Sequence, residues 1–419
     1  MCRYVINGGR KLKGIIDIEG SKNAVLPILA ASLLNSGVSV IHNCPDLRDV
    51  RLMLDIIKDL GCKVQMSSDT VIIDSKHLNN CNISRNAAIE MRSSIIFLGA
   101  VLSRMNKAVI PKPGGCDIGL RPIDLHKTAF EMMDAEIDNS DTEFINARTG
   151  GLKGCEINLE YPSVGATENI MIAAVLASGE TVIKNAAKEP EIVDLQNFLN
   201  AMGAKIKGAG NNLICIKGVN EKDLHGVEYT VIPDRIVAGT YMAAAAVTGG
   251  DIIINNVIEE HILPIIKILK DTGCKIYAFD NKIMIKGPKN PVSPGSVVTM
   301  PYPEFPTDMQ PQIISVMAVS EGESIVEETV FECRFKHIDE LVKMGADIKT
   351  EGNKAYIKGI SQLKGAPVIS KDLRGGAALI IAGLNAKGKT VIDDLRYIER
   401  GYVSIEKKLA KVGAEIIRI

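Results

Sequence analysis

One pattern recurs six times along this chain of 419 residues. It is a helix-like stretch that ends at a fixed position, usually a glycine, and is followed directly by a β-branched strand. The position is glycine in all copies but one, in the order Gly61, Asp134, Gly203, Gly273, Gly345 and Gly413. The copies follow one another at roughly 70 residues, a period that indicates internal duplication. Because glycine closes a helix in the left-handed conformation, each copy predicts a helix that is followed at once by a strand.

A second repeated segment combines an apolar, alanine-rich helix, a turn and another β-branched strand. Its copies span residues 24–40, 95–110, 169–183, 236–254, 309–326 and 377–392. Helices that are apolar on every side are buried, and alanine lets them pack closely. Six such units exceed what one hydrophobic core organises. The repeats therefore predict an α/β fold with two domains of three βαβαββ-type units each, in which sheets surround buried helices.

The break between the third and fourth units falls near Val231. We expect one domain over residues 21–231 and a second domain over residues 1–20 and 232–419. The strand around Val5 and Ile6 has no unit of its own in the first half of the chain. It should therefore complete a sheet of the second domain.

Composition and charge exclude several classes of function. Lysine and arginine number 49 against 50 aspartates and glutamates, so the chain has no basic excess for nucleic acid or an anionic membrane. The nine cysteines show no C-x-x-C pair and no zinc-like spacing, which argues against a disulfide framework and a metal site. No apolar segment has the length of a signal peptide or a membrane span. We therefore expect a cytoplasmic protein with reduced thiols.

Several buried helices start with a cation, although a cation opposes the positive end of the helix dipole. These cations are Lys22, Arg92, Arg235 and Arg374. Bound anions would explain them, because dipole and side chain would then favour the same charge. The alternative is that the cations pair with acidic neighbours such as Asp234 and Asp372. Ordinary helix capping is expected of Ser21, Ser93, Thr167, Thr307 and Asp372.

A loop over residues 111–122 surrounds Cys116 with three glycines and three prolines. Such a composition favours a mobile loop over a helix or a strand, so the thiol should be exposed. Nearby Lys112 and Arg121 would lower its pKa and raise its reactivity. By contrast, Cys62, Cys155, Cys215 and Cys274 lie in apolar strand contexts and are expected to be inert.

Short motifs spread over essentially the whole chain carry a family resemblance. They occupy residues 20–24 (GSKNA), 91–93 (MRS), 113–116 (PGGC), 121–126 (RPIDLH), 162–167 (PSVGAT), 189–194 (EPEIVD), 233–235 (PDR), 306–310 (PTDMQ), 331–335 (FECRF), 372–374 (DLR) and 400–402 (RGY). With them the chain resembles the UDP-N-acetylglucosamine 1-carboxyvinyltransferase family of enolpyruvyl transferases. The resemblance implies a two-domain inside-out α/β barrel with its active site in the cleft between the domains.

The resemblance also implies a reaction by addition and elimination, the first committed step of peptidoglycan synthesis. The 3′-hydroxyl of UDP-N-acetylglucosamine adds to C2 of phosphoenolpyruvate, and phosphate then leaves. The implied catalytic residues are Cys116, Asp308, Lys22 and Arg400. In this family the thiol that matches Cys116 protonates C3 of phosphoenolpyruvate, can form a covalent adduct with it, and is alkylated by fosfomycin. The residue that matches Asp308 is the candidate base for the sugar hydroxyl.

Two binding sets follow from the same resemblance. Phosphoenolpyruvate would contact Lys22, Asn23, Cys116, Arg121, Arg334, Arg374 and Arg400. UDP-N-acetylglucosamine would contact Arg92, Arg121, Pro122, Ile123, Asp124, Leu125, Tyr161, Pro162, Ser163, Val164, Asp308 and Val330. Both partners are small molecules, and we expect no cofactor, no metal, no nucleic acid, no membrane insertion, and a monomer or a weak oligomer.

The chain departs from the family pattern at Asp117, Asp134 and Val237 and within residues 397–400 (YIER), and none of these departures removes a residue with an assigned chemical role. Two other functions compete with the one above. A 3-phosphoshikimate 1-carboxyvinyltransferase shares the fold and the donor but lacks the cysteine loop. A catalytically silent paralogue would bind the UDP-sugar as a sensor and release no phosphate.

Overall fold

The computed structural model describes residues 2–84, 91–112, 119, 123–138 and 140–419, with only the backbone of Arg92. The helices of these residues are α1 (Lys22–Ala31), α2 (Arg48–Asp59), α3 (Phe97–Met105), α4 (Asp124–Met132), α5 (Val164–Ala174), α6 (Pro190–Ala201), α7 (Arg235–Thr248), α8 (Leu263–Asp271), α9 (Gln310–Met317), α10 (Ile338–Lys343), α11 (Leu373–Asn385) and α12 (Ile405–Lys411).

The strands of the described residues also follow the predicted repeat. They are β1 (Tyr4–Asn7), β2 (Lys13–Asp17), β3 (Val38–His42), β4 (Lys63–Ser67), β5 (Thr70–Asp74), β6 (Lys107–Pro111), β7 (Ala135–Asp138), β8 (Phe144–Thr149), β9 (Glu156–Asn158), β10 (Glu180–Lys184), β11 (Lys205–Lys207), β12 (Leu213–Lys217), β13 (Glu228–Thr230), β14 (Asp251–Asn255), β15 (Lys275–Phe279), β16 (Lys282–Lys286), β17 (Ser296–Val298), β18 (Glu323–Glu327), β19 (Asp347–Glu351), β20 (Lys354–Lys358), β21 (Pro367–Ile369), β22 (Lys389–Asp393) and β23 (Glu415–Arg418).

Buried and amphipathic helices alternate along the chain. The odd-numbered helices are almost completely buried; in α7, for example, every residue from Arg235 to Val247 is buried. Helices α7, α9 and α11 pack against one another, and α1, α3 and α5 form a matching group. Their alanine and glycine content allows this close approach, so the prediction of buried helices inside the sheets is confirmed.

The described strands form six sheets, ordered β21-β22-β1-β23, β15-β16-β14-β2, β17-β18-β20-β19, β11-β12-β10-β9, β13-β3-β5-β4 and β6-β8-β7. Strand β1 pairs antiparallel with β22 and with β23, which places Val5 opposite Val391 and Ile417. The strand around Val5 therefore completes a sheet built from the C-terminal end of the chain, as its sequence predicts. The sheets stay separate among the described residues and do not close into one continuous barrel.

The chain divides into two compact units. One unit contains the residues up to Glu19 together with Pro233–Ile419, and the other contains most of the chain between Gly20 and Ile232. Each unit holds three of the sheets and three of the buried helices. No helix within the described parts of the chain combines the length and the hydropathy needed to cross a membrane.

The special position that follows each amphipathic helix is left-handed in every copy. The glycines there have φ between +89° and +114°, and Asp134, the one exception to glycine, has φ +70°. This backbone conformation is cheap for glycine and costs free energy for a residue with a Cβ atom. The repeat therefore preserves its turn even where the sequence departs from glycine.

Candidate active site

One carboxylate holds two buried arginines at the start of helix α9. Asp308 lies in the single turn before α9, Arg374 lies in the first turn of α11, and Arg334 precedes α10. Arg334 Nη2 donates to Asp308 Oδ1 at 2.9 Å, and Arg374 donates to Oδ2 from Nε at 3.2 Å and from Nη2 at 3.0 Å. Both arginine side chains are only 3% exposed, against 27% for Asp308. The structure thus brings together three residues that the sequence assigns to the site.

The charges of this cluster fix the protonation state of Asp308. Burial by itself would raise the pKa of the carboxyl group, but the guanidiniums of Arg374 and Arg334 outweigh it and hold the pKa well below its usual range. In this arrangement Asp308 is a counter-ion and a weak proton acceptor. It becomes a stronger base only if its contacts with the arginines are weakened.

Each arginine keeps one buried nitrogen that is without a hydrogen-bond partner among the described residues. These atoms are Nε of Arg334 and Nη1 of Arg374. Aromatic rings cover the guanidiniums, with Phe331 at 5.5 Å from Arg334 and Tyr402 at 5.5 Å from Arg374. A buried unpaired N–H group is costly, and an anion is the partner that would satisfy it best.

A second ion pair lies at the start of helix α1. Lys22 Nζ is 2.6 Å from Asp49 Oδ2 of helix α2, and the two side chains are 9% and 1% exposed. Ser21 caps the same helix by accepting a hydrogen bond from the Ala24 amide. Asn23 follows Lys22 and is half-buried. Asp49 was missed by the sequence interpretation; its only signal was an acidic residue within the first turn of an otherwise amphipathic helix.

The structure bears on the second interpretation of the helix-start cations, pairing with carboxylates, and the bound anions stay a prediction. Lys22 and Arg374 do pair with carboxylates, but their partners are Asp49 and Asp308 and not the adjacent acids. Asp234 and Asp372 cap α7 and α11 by accepting backbone N–H groups. Arg235 lies 5.5 Å from the ring of Tyr302.

Three of the expected caps are wrong. Helix α5 is capped by Ser163, which accepts from the Ala166 amide, whereas Thr167 accepts a hydrogen bond from the Ala187 amide. Thr307 donates its hydroxyl hydrogen to Glu328. The turn Arg92–Ile96 has no side-chain capping hydrogen bond at its start. Among the described residues, Ser93 therefore has no capping role.

Seven of the residues predicted to contact the sugar nucleotide lie at the starts of two neighbouring helices. Ile123, Asp124 and Leu125 begin α4, and the run from Tyr161 to Val164 leads into α5. The helices are joined where Asn169 Nδ2 lies 3.0 Å from His126 Nδ1. The side chain of Asp124 and that of Tyr161 are exposed.

The structure describes only some of the remaining predicted residues. Val330 is half-buried in the segment before Arg334, and Arg400 ends the short turn Ile398–Arg400 that packs against α11. Cys116, Arg121, Pro122 and Asp117 lie outside the described residues, as does the side chain of Arg92. Their roles stay predictions, as do the roles assigned to the residues above.

The cysteines that were expected to be inert lie in protected places. Cys62 and Cys274 are buried, and Cys155 and Cys215 are half-buried. Burial raises the pKa of Cys62 to about 11 and that of Cys44 to about 12. Such thiols hold almost no thiolate at neutral pH and react slowly.

The sequence model of one protein family matches residues 6–409, and its description is EPSP synthase (3-phosphoshikimate 1-carboxyvinyltransferase). The chain belongs to this family of carboxyvinyltransferases and is a transferase. The enolpyruvyl transferase NikO from Streptomyces tendae has the same fold, with a TM-score of 0.91 at 22% identity over 100% of this chain and 98% of its own.

Relatives with higher identity carry a more specific name. UDP-N-acetylglucosamine 1-carboxyvinyltransferase 2 of Caldanaerobacter subterraneus subsp. tengcongensis is 54% identical, and 100% of each chain is covered. UDP-N-acetylglucosamine 1-carboxyvinyltransferase 1 of Carboxydothermus hydrogenoformans is 49% identical over 100% of this chain and 99% of its own.

Proposed function

We propose that this chain transfers the carboxyvinyl group of phosphoenolpyruvate to the 3′-hydroxyl of UDP-N-acetylglucosamine and releases phosphate. The observation that carries the proposal is the contact of Asp308 with Arg334 and Arg374. It joins a potential base to two buried cations, and the proposed reaction needs both a base for the sugar and cations for an anionic donor. The names of the full-length relatives support the same acceptor.

The ion pairs suggest how substrate binding would activate the base. The carboxylate and phosphate of phosphoenolpyruvate compete with Asp308 for the guanidiniums of Arg334 and Arg374. When an anion takes over these contacts, the pKa of Asp308 rises toward its ordinary value. The carboxylate is then a better acceptor for the proton of the sugar hydroxyl, and only after the donor has bound.

In the addition step, the sugar oxygen bonds to C2 of phosphoenolpyruvate, and C3 takes up a proton from Cys116. The C2–O bond to phosphate then breaks and C3 returns a proton, which restores the double bond in the product. Lys22, Arg121 and Arg400 would neutralise the departing phosphate, and Asn23 would donate a neutral hydrogen bond. The sugar nucleotide would contact the starts of α4 and α5 and the segment at Val330.

The test measures phosphate release when the protein is mixed with phosphoenolpyruvate and UDP-N-acetylglucosamine. Shikimate 3-phosphate replaces the sugar nucleotide in a parallel reaction. We expect phosphate release in the reaction with UDP-N-acetylglucosamine and none in the reaction with shikimate 3-phosphate. Release with shikimate 3-phosphate would identify the sibling activity, and thermal stabilisation by UDP-N-acetylglucosamine without any phosphate release would identify a sensor.

Two substitutions test the individual roles. Cys116→Ala should abolish turnover and leave binding of the sugar nucleotide intact, whereas unchanged activity would remove the thiol from the mechanism. Arg400→Ala should raise the KM for phosphoenolpyruvate far more than the KM for the sugar nucleotide.

We further propose that the enzyme acts in the cytoplasm as a monomer or a weak oligomer.

A further inference from the structure

Glu328 is a buried carboxylate that directly follows strand β18 and to which the sequence assigned no role. It is 3% exposed. Its Oε1 atom accepts hydrogen bonds from the amides of Val330 at 2.9 Å and Phe331 at 3.1 Å, and from the Thr299 hydroxyl at 2.9 Å. Its Oε2 atom accepts a hydrogen bond from the Thr307 hydroxyl at 2.9 Å. Both oxygens are therefore used, by four donors.

Those donors belong to segments that carry the proposed site. Thr307 is the residue before Asp308 in the turn that starts α9. Val330 is a predicted contact of the sugar nucleotide, and the ring of Phe331 covers the guanidinium of Arg334. A single side chain thus connects the turn that holds the base with the segment that carries Val330 and leads to Arg334.

A purely structural link would not need a charged group at this position. Removing a carboxylate from water costs several kcal/mol, and neutral side chains can bridge two loops at a lower cost. A charged acceptor makes shorter and stronger hydrogen bonds than a neutral one. The segments that donate these bonds are therefore held within a narrow range of positions. Reaction rates depend steeply on such positions, because a displacement of about 1 Å can lower a rate by about 100-fold.

We propose that Glu328 is a positioning residue for the transfer reaction, which fixes Asp308 through Thr307 and the sugar-nucleotide segment through the amides of Val330 and Phe331. This inference rests on the function proposed above. The Val330 amide is already bonded to Glu328, so a ligand would meet the carbonyl oxygen or the side chain of Val330.

The experiment compares kcat and the two KM values of Glu328→Ala, Glu328→Gln and Thr307→Val with those of the wild type. Glu328→Ala should lower kcat by about 100-fold and raise the KM for UDP-N-acetylglucosamine several-fold, because both segments are released. Thr307→Val removes only the link to the base, so it should lower kcat by about tenfold and leave that KM unchanged. Glu328→Gln keeps an oxygen for the two amides and should recover most of the KM effect.

Glu327→Ala is the matched control. Glu327 is the neighbouring residue, and its side chain contacts Lys354 and Asn353 at the surface, so kcat and KM should not change. The double variant Thr307→Val/Glu328→Ala should be no slower than Glu328→Ala, because the threonine acts through the glutamate.

The outcomes separate the two proposals. An active wild type shows that the proposed function stands. If Glu328→Ala and Thr307→Val then lose thermal stability but keep the wild-type kcat and KM values, the positioning role of Glu328 is wrong. If Glu328→Ala does not fold, Thr307→Val decides, and an unchanged kcat there overturns the inference. A folded wild type that releases no phosphate overturns the proposed function and this inference with it.

Discussion

Two nitrogens of Arg374 lie 3.2 and 3.0 Å from the same carboxylate oxygen of Asp308, while the other oxygen of that carboxylate is bound by Arg334. Asp308 and Arg374 lie at the starts of two different buried helices, α9 and α11. Their contact makes Asp308 a counter-ion in the absence of substrate. An anionic substrate would therefore compete with this carboxylate for the two arginines.

The stabilisation from Asp308 should depend on pH. Its pKa is lower in the folded chain than in the unfolded chain, so its contribution is complete above the unfolded value and is lost as the pH falls toward the folded value. We expect Asp308→Asn to lower the free energy of unfolding by about 2 kcal/mol near neutral pH and by clearly less at about pH 2.5, which lies below the unfolded pKa of the carboxyl group. Urea unfolding at both pH values measures this. An equal loss at the two values would contradict the shifted pKa.

Asp308→Asn should also bind inorganic phosphate more tightly than the wild type does. The substitution removes the negative charge that competes for Arg334 and Arg374, and the arginines keep their own charge. We expect the dissociation constant for phosphate to fall about tenfold, measured by calorimetry at low ionic strength. Arg374→Gln in the same background should reverse the gain. Weaker phosphate binding by Asp308→Asn would show that the carboxylate helps to build the anion site.

Lys22 and Asp49 form a buried pair whose structural and chemical roles can be separated. Lys22→Met or Asp49→Asn alone removes one of the two opposite charges of this buried pair and should cost about 3 kcal/mol. The double variant should regain most of this stability while transfer activity stays lost, because the cation for phosphate is missing. The exposed pair of Arg51 and Asp46 is the control, with an expected coupling below about 1 kcal/mol. Additive losses at Lys22 and Asp49 would contradict a coupled pair.

The left-handed position of Asp134 predicts a stabilising substitution. Asp134→Gly removes a Cβ atom from a backbone with φ +70° and should raise the free energy of unfolding by about 0.5–1 kcal/mol. It also removes an exposed ion pair with Lys153, which contributes little. Asp134→Ala keeps the Cβ atom and should not stabilise the protein. The backbone explanation fails if the glycine and alanine variants have the same stability.

Fosfomycin should modify one thiol only. The buried thiols of Cys44 and Cys62 have raised pKa values, so they offer almost no nucleophile at neutral pH. We expect intact mass spectrometry to show a single adduct, which peptide mapping places at Cys116. Cys333→Ser, at an exposed cysteine, should keep the adduct, and Cys116→Asp should lose it. An adduct on Cys116→Asp would mean that another residue is alkylated.

The repeated pattern of the sequence was sufficient to predict most of the fold. Helices without a polar face are expected to be buried, and a glycine at a fixed place after a helix favours a left-handed turn there. Both properties are local, so the alternation of buried and amphipathic helices and the turns at Gly61 and Gly413 could be predicted. The extra strand around Val5 was predicted by exclusion, because no unit in its own half could take it.

The sequence, with its family resemblance, proposed candidate site residues, among them Lys22, Asp308, Arg334 and Arg374. Only the tertiary structure decided which of them are partners. Arg374 meets a carboxylate 66 residues away, and Glu328 meets a hydroxyl 21 residues away. Such pairs depend on how helices and loops from different repeats pack, and the free energy of a buried charge is set by those neighbours and not by its own segment.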